Sequence, residues 1–480
     1  MKRLVVAFGL LFATFVLPAA AQAPRELVAR AIAAMGGEPA LTAASVITAD
    51  FNTATFALGQ EETPASPARA TFASGQTVTD LRAMRRVLTQ EVRPLTGGVQ
   101  RQRRVTAGGI GLLETDGRQA ADAPATVGTT ERGMRLSPER LLASALAGGT
   151  SALPARTLRE ESGAGVSYAA GPDTLNLFFD PRTGLLLMTE HVMDDPILGD
   201  RRTATWYTRW QDAGGIKLPR QIDVEYNGRI QSHTVITAAR VGPADAAAFT
   251  IPDSISSRAQ RAIAAAPAQV PTVASIAPGL WWVAGGTHHS MVVEQPSQLI
   301  VVEGPFSTQR TAAVLDTLKA RFPTKPVSLV VNTHHHWDHA SGLRGYLAAG
   351  VPVLTHARNG GYVRGIASAA KTVAPDALTR GGRVPEVRTM TDSLTIGEGS
   401  GRIVLYHAPT SHVEGMLIAY VPSAKTVFNS DLFGPGQAPN AVFARELVAA
   451  VRARGIAVDK VVGGHGTAPV AWSEVEKVAQ

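Results

Sequence analysis

Val330-Val-Asn-Thr-His334-His-His336-Trp-Asp338-His339-Ala-Ser-Gly342 presents five ligand-capable side chains within six residues. It runs directly out of the apolar segment Ser328–Val331, whose composition predicts a buried strand. Side chains alternate along an extended stretch, so His334 and His336 face the same way and can grip one metal ion. His335 then faces away, as support for its neighbours or as packing. Asp338 and His339 follow where the chain turns towards a helix expected over Ser341–Ala349, so their side chains diverge and can serve a second ion. The pattern His-x-His-x-Asp-His thus offers two ligand sets from one loop. Two Zn²⁺ ions suit imidazole and carboxylate donors best; iron and manganese are the other metals the set admits.

The composition agrees with this chemistry. The chain has 480 residues, 45% hydrophobic and 18% charged, enough to bury real cores and far from the balance of a disordered chain, coiled coil or collagen. It has no cysteine, which removes disulfide scaffolds, thiolate-held metals and cysteine nucleophiles; a metal site must use His, Asp and Glu. Of its 12 histidines only His191 and His233 precede residue 280. The net charge of +7 is too small and too evenly spread for a nucleic-acid partner. One local excess, Arg82, Arg85, Arg86, Arg93, Arg101, Arg103 and Arg104, reads as the outward faces of strands and loops, with an anion or lipid-headgroup patch as the alternative.

At the N-terminus, Lys2 and Arg3, the apolar Leu4–Leu17 and the small residues up to Ala23 predict a secretory leader over residues 1–23, and hence an exported, periplasmic or secreted protein. The apolar stretch falls short of the ~20 residues of a spanning helix, and no later segment is long and apolar enough, so no membrane span is expected in the mature chain.

The fold class expected is α+β, an antiparallel β-rich domain followed by an α/β sandwich. Residues 24–255 open with a helix at Arg25–Met35 and continue in strand-like runs. Hairpins are expected at Asp173–Val192 and around Asn227-Gly228, and a helix from Ser137-Pro138 to Gly148. Residues 256–278, rich in Ala and Pro, read as a linker. From residue 279 to 480 strands alternate with helices: Trp281–Ala284, Met291–Val293, Leu299–Val302, Arg402–His407, Met416–Val421, Thr426–Asn429 and Lys460–Val462 as strands, Gln309–Phe322, Ala441–Arg454 and Trp472–Val478 as helices.

On the His-x-His-x-Asp-His loop, residues 279–480 resemble the metallo-β-lactamase superfamily, whose αββα sandwich holds its metals at the sheet edge. The resemblance implies three further ligands, each after a later strand. His412 in Ala-Pro-Thr-Ser-His-Val-Glu-Gly, Asp431 in Val-Phe-Asn-Ser-Asp-Leu and His465 in Val-Val-Gly-Gly-His-Gly match them in order. Carried over, His334, His336 and His412 hold one zinc, and Asp338, His339 and His465 the other, with Asp431 between. The chain departs from the common pattern at Ser411 and Ser430, where many members have Gly, and at Glu303, where Asp is usual.

A bridging aspartate is similar to glyoxalase II, lactonases and alkylsulfatases; the dizinc β-lactamases lack it. His336 departs from the flavodiiron oxidoreductases, which place Glu there. The resemblance implies a zinc-dependent hydrolase of a small-molecule substrate, an ester, lactone, thioester or sulfate ester. The nucleophile would be a metal-bridging hydroxide, made available near neutral pH by two ions flanking one water, and Asp338 would orient it and take a proton. A mononuclear iron sulfur-oxygenase of persulfide dioxygenase type and a β-lactamase stay open as alternatives. His288, His289 and Trp337 are the candidate substrate contacts, Glu414 and Asn429 candidate partners of ligands, and His356 and His407 structural. Neither the substrate nor the oligomeric state is legible.

Overall fold

The computed structural model describes residues 23–480 apart from 96, 160, 172, 266–269 and 382–383. All but the last residue of the leader read at 1–23 therefore lies outside the described residues. Thirteen strands between Val46 and Val241 form one antiparallel sheet, in which Val46–Phe56 pairs with both Ala70–Asp80 and Arg229–Val241. Alternation builds its packed face: Leu175, Leu177 and Phe179 of the strand Asp173–Phe179 are buried, while Thr174 is exposed. They pack against two helices, Pro24–Ala34 and Pro138–Ala147, through Leu27, Val28, Ile32, Leu141 and Leu142. The first helix starts on Pro24 and stops before Gly36 and Gly37, both at positive φ. Asn227 and Gly228 sit at φ 48° and 84°, the backbone that a two-residue hairpin turn requires.

Most of the stretch 256–278 read as a linker is structured. A helix spans Asp253–Ala265, and its Ile255 packs with Val87, Val105, Leu112 and Phe249. Ile255 and Ala259 are buried one turn apart, so the same alanines that suggest a linker also supply helix propensity. Thr272–Ala277 is the edge strand of the next sheet, so the sandwich begins before residue 279.

That sandwich has a seven-stranded sheet running from Thr272–Ala277 to Val387–Met390 and a six-stranded sheet from Ser393–Ile396 to Val470–Ala471. Between them lie Leu280, Met291, Ile300, Val302, Leu329 and Val331 from one side and Ile403, Leu405, Leu417, Phe428 and Val462 from the other. The helices Thr308–Arg321, Leu343–Ala348 and Ala357–Ser368 cover one outer face. Ala441–Ala453 and Trp472–Ala479 cover the other, which completes an αββα layering. The central strands are buried on both faces, which is why they read as unbroken runs such as Leu299-Ile-Val-Val302. Leu299–Val302 pairs in parallel with Val327–Val331, and Thr426–Ser430 with Lys460–Gly463; the four end at one edge, each with a chemistry-bearing residue just beyond. No helix among the described residues is long and apolar enough to cross a membrane.

Candidate metal centre

The strand Val327–Val331 delivers the histidine loop already braced. Asn332 is fully buried; its amide donates to the His334 carbonyl at 2.6 Å, and its oxygen accepts from Thr355 Oγ1 at 3.0 Å. The helix expected from Ser341 begins earlier, as the short turn Trp337–Ala340, then resumes over Leu343–Ala348. That early turn separates Asp338 and His339 from His334 and His336.

Two four-residue clusters result. His334, His336, His412 and Asp431 each offer a donor atom, all within 4.8 Å of one another, and so do His288, Asp338, His339 and His465. Asp431 joins the two. Its Oδ1 lies 2.9 Å from His339 Nε2 and 3.2 Å from His465 Nε2, while Oδ2 lies 3.2 Å from His412 Nε2 and 3.7 Å from His334 Nε2. His339 Nε2 and His465 Nε2 stand only 3.1 Å apart.

The structure thus brings together all seven residues that the sequence assigns as ligands, and adds His288. His288 Nε2 is 3.1 Å from Asp338 Oδ2, which sets it within the second cluster rather than above it. His289, its chain neighbour, points elsewhere: Nε2 donates to the Gly466 carbonyl at 2.7 Å and the ring packs edge-on against Trp282. It braces the loop that carries His465. Trp337 is 47% exposed beside the metal loop and keeps its candidacy.

The donors fit a divalent ion, because some of their buried atoms have no partner. His334 Nε2 and His336 Nδ1 are withdrawn from solvent with no hydrogen-bond partner, a costly state for polar atoms unless something binds them. His336 shows the device most clearly. Its Nε2 lies 3.0 Å from the carbonyl of Glu61, which can only accept, so the proton sits on Nε2 and the Nδ1 lone pair faces the cluster. Burial, then the neighbouring His412, pushes the His336 imidazole down to about 3, and burial holds His334 well below its ordinary range. Both are therefore neutral and able to ligate. Burial alone would raise the carboxyls of Asp338 and Asp431 and lower His339. Hydrogen bonds and opposite charges outweigh it, so both acids stay ionised and His339 rises well above its usual value.

Three contributors were not assigned from the sequence. Glu303, noted only as a departure, is fully buried; it accepts from His339 Nδ1 at 2.6 Å, from Thr333 Oγ1 at 2.5 Å and from the Ser430 hydroxyl. Ser430 itself adopts φ 57°, the left-handed region that favours glycine, and its hydroxyl is what it adds over glycine there. Ser411 shows no such backbone; its N–H groups with the Glu446 carboxylate at 3.1 Å. The other two, Gln60 and Glu61, come from the front domain, on the loop between Val46–Phe56 and Ala70–Asp80. Gln60 Nε2 donates to Asp338 Oδ1 at 2.6 Å across 278 residues of sequence. The same loop accepts from Trp337 N at the Gly59 carbonyl, 3.0 Å, and from Glu414 N at the Glu62 carbonyl, 2.9 Å. A Cβ on Gly59, which sits at φ 82°, would meet Trp337 at 3.2 Å, so the close approach relies on glycine.

The remaining candidates have structural places. Glu414 pairs with Arg358, and Asn429 ties the Phe433 and Val462 backbone rather than a ligand. His335 is buried against Tyr362, and His356 stacks on His407 at 4.5 Å.

Residues 283–468 match the family model of the metallo-beta-lactamase superfamily. Among solved structures, the metallo-β-lactamase FIM-1 from Pseudomonas aeruginosa in its mono-zinc form is 17% identical, over 44% of this chain and 93% of its own, with a TM-score of 0.35. A metallo-β-lactamase from Pontibacter korlensis is 20% identical over 44% and 97%, TM-score 0.35. One from Hirschia baltica is 14% identical over 44% and 96%, TM-score 0.34. No curated protein matches the chain.

Proposed function

We propose, from the match of residues 283–468 to the metallo-beta-lactamase superfamily model, that the chain is an exported zinc-dependent hydrolase that cleaves an ester, lactone, thioester or sulfate ester of a small-molecule substrate. The observation that carries this reading is Asp431, which turns one carboxylate oxygen to each of two donor clusters. A carboxylate so placed serves two ions, as in the glyoxalase II and lactonase arrangement that the sequence resembles.

His334, His336 and His412 would hold one ion, and Asp338, His339 and His465 the other, with Asp431 between and His288 beside the second. When bound, two such ions polarise an electrophilic oxygen and acidify a water near neutral pH. The chain's own residues do the rest. Asp338 is fixed at both oxygens, by Gln60 and by His288, and stays ionised, so it can orient the attacking water and receive its proton. Glu303 holds one His339 proton on Nδ1, so Nε2, which faces Asp431, is the nitrogen that would give up its proton to take an ion. Export rests on Lys2, Arg3 and the apolar Leu4–Leu17, and N-terminal sequencing of the protein recovered from its native compartment tests it.

The decisive experiment is metal analysis joined to a panel of lactones, thioesters, aryl esters, sulfate esters and cephalosporins. Two zincs per chain with turnover of an ester class is the expected result. One iron per chain with oxygen uptake on a persulfide would overturn it in favour of an oxygenase, and cephalosporin turnover alone would make it a β-lactamase.

A further inference from the structure

One face of the front sheet lines a half-open cavity of about 580 Å³ that shares no residue with the metal centre. Period-two alternation builds its wall, since Ile47 and Ala49, Thr77 and Thr79, and Thr203 and Thr205 come from three strands and point to one side. The turn 134–138 between the helices Pro124–Arg135 and Pro138–Ala147 roofs it, and Thr129 and Gly133 are exposed at its rim.

Three arginines line this otherwise largely apolar space, and two are already neutralised. Arg132 pairs with Asp173 at 2.8 Å and Arg201 with Asp195 at 2.9 Å. Arg86, on the strand Arg85–Arg93, makes no ion pair or side-chain hydrogen bond among the described residues. Its Nε is withdrawn from solvent without a partner, as are Arg201 Nε and Thr203 Oγ1 on the same wall. Burial pushes the Arg86 guanidinium below its ordinary range. The wall's other titratable groups do not compensate it. Glu139 is bonded to Ser137 and its own backbone, and burial raises its carboxyl; His191 is pushed down to about 4, chiefly by burial, and is neutral at pH 7; burial also raises the Tyr207 phenol to about 12.

We propose that this cavity is a binding site for a single-chain aliphatic carboxylate, with the head on Arg86 and the chain along the apolar wall. The volume falls within the roughly 300–1,000 Å³ of small-ligand pockets, which suits one acyl chain. One free guanidinium matches a monoanion, and its planar fork fits a carboxylate through two parallel hydrogen bonds. A dianionic phosphate would call for a second free cation, which the pairing of Arg132 and Arg201 withholds. The site is independent of the hydrolase reading.

The test is calorimetric titration of the full-length protein with dodecanoate below its micellar range, alongside dodecanol and dodecyl phosphate. Dodecanoate should bind one to one, and at least tenfold more tightly than either of the others. Arg86→Met should weaken dodecanoate at least tenfold, and Ala49→Trp, which fills the cavity and keeps Arg86, should abolish binding; circular dichroism confirms that each variant is folded. Absence of dodecanoate binding, equal binding of dodecanol, preference for dodecyl phosphate, or an Ala49→Trp protein that still binds would each overturn the assignment.

Discussion

Replacing Glu303 by glutamine changes almost no volume and removes one acceptor. The carboxylate serves three donors, with Oε2 taking the His339 Nδ1–H at 2.6 Å and Oε1 taking the Thr333 and Ser430 hydroxyls. Glutamine has one oxygen and no charge: if the oxygen takes the imidazole N–H, the hydroxyls must turn to accept from its NH₂ and the charge beside His339 is gone. If its NH₂ meets His339, the ring must move its proton to Nε2, the nitrogen that faces Asp431, and a ligand is lost. A hydrogen bond to a charged group is worth about 1.5–3 kcal/mol, and disturbing the partner of a ligating histidine typically lowers metal affinity by about 10–100-fold. At 1.4 kcal/mol per decade that is about 1.4–2.8 kcal/mol, so the two routes agree. The assay is titration of metal-free protein with zinc against a chromogenic chelator, which reads both binding steps. One step should weaken about 10–100-fold in Glu303→Gln, with a smaller loss in Glu303→Asp, which keeps the charge. Zinc affinity within threefold of the unaltered protein at both steps would refute the reasoning.

Three further outcomes are expected. Gln60→Ala removes the donor on Asp338 Oδ1 but no ligand, so metal content should hold by elemental analysis while turnover falls on the order of tenfold, the worth of one hydrogen bond to a charged group; loss of metal would mean that Gln60 retains the ion. Asp376→Asn leaves the buried Arg344 guanidinium without its carboxylate and should cost about 3–5 kcal/mol in urea unfolding of the sandwich. Burial raises the Asp376 carboxyl, but hydrogen bonds from Arg344 and Thr379 outweigh it and hold it well below its usual range, so its stabilisation is full above about pH 4 and is lost as the pH falls further; melts of the Asn variant should lack that acid-dependent part. His191 is lowered to about 4 by burial and then Arg132, so the unfolded chain binds its proton first. Stability should fall by about 3 kcal/mol between pH 6.5 and 4, and His191→Gln should flatten that slope in thermal melts of the front domain.

What could be read from the sequence follows how far apart the cooperating groups lie. His334, His336, Asp338 and His339 are legible because one loop carries them, and alternation followed by a helical turn divides them between two ions. His412, Asp431 and His465 are legible through the family resemblance, each lying after a strand. The pair His288-His289 shows the limit of local reading: alternation sends neighbours to opposite sides, so only one of the two could reach the centre, and the sequence does not say which. Glu303 was visible as an acid at a strand end, but its contact with His339 exists only once Leu299–Val302 lies beside Val327–Val331.

Gln60 and Glu61 carry no signal at all, being ordinary polar residues in a hairpin loop. Yet the Glu61 carbonyl fixes the tautomer of His336, and the Gln60 amide fixes Asp338. Through that loop the front domain takes part in the geometry of both clusters, one residue for each. A protein cut at residue 271 would keep all seven assigned ligands and lose both of these restraints. Its histidine loop should therefore bind metal with less selectivity between the His336 nitrogens, and Asp338 should be free to rotate away from His288.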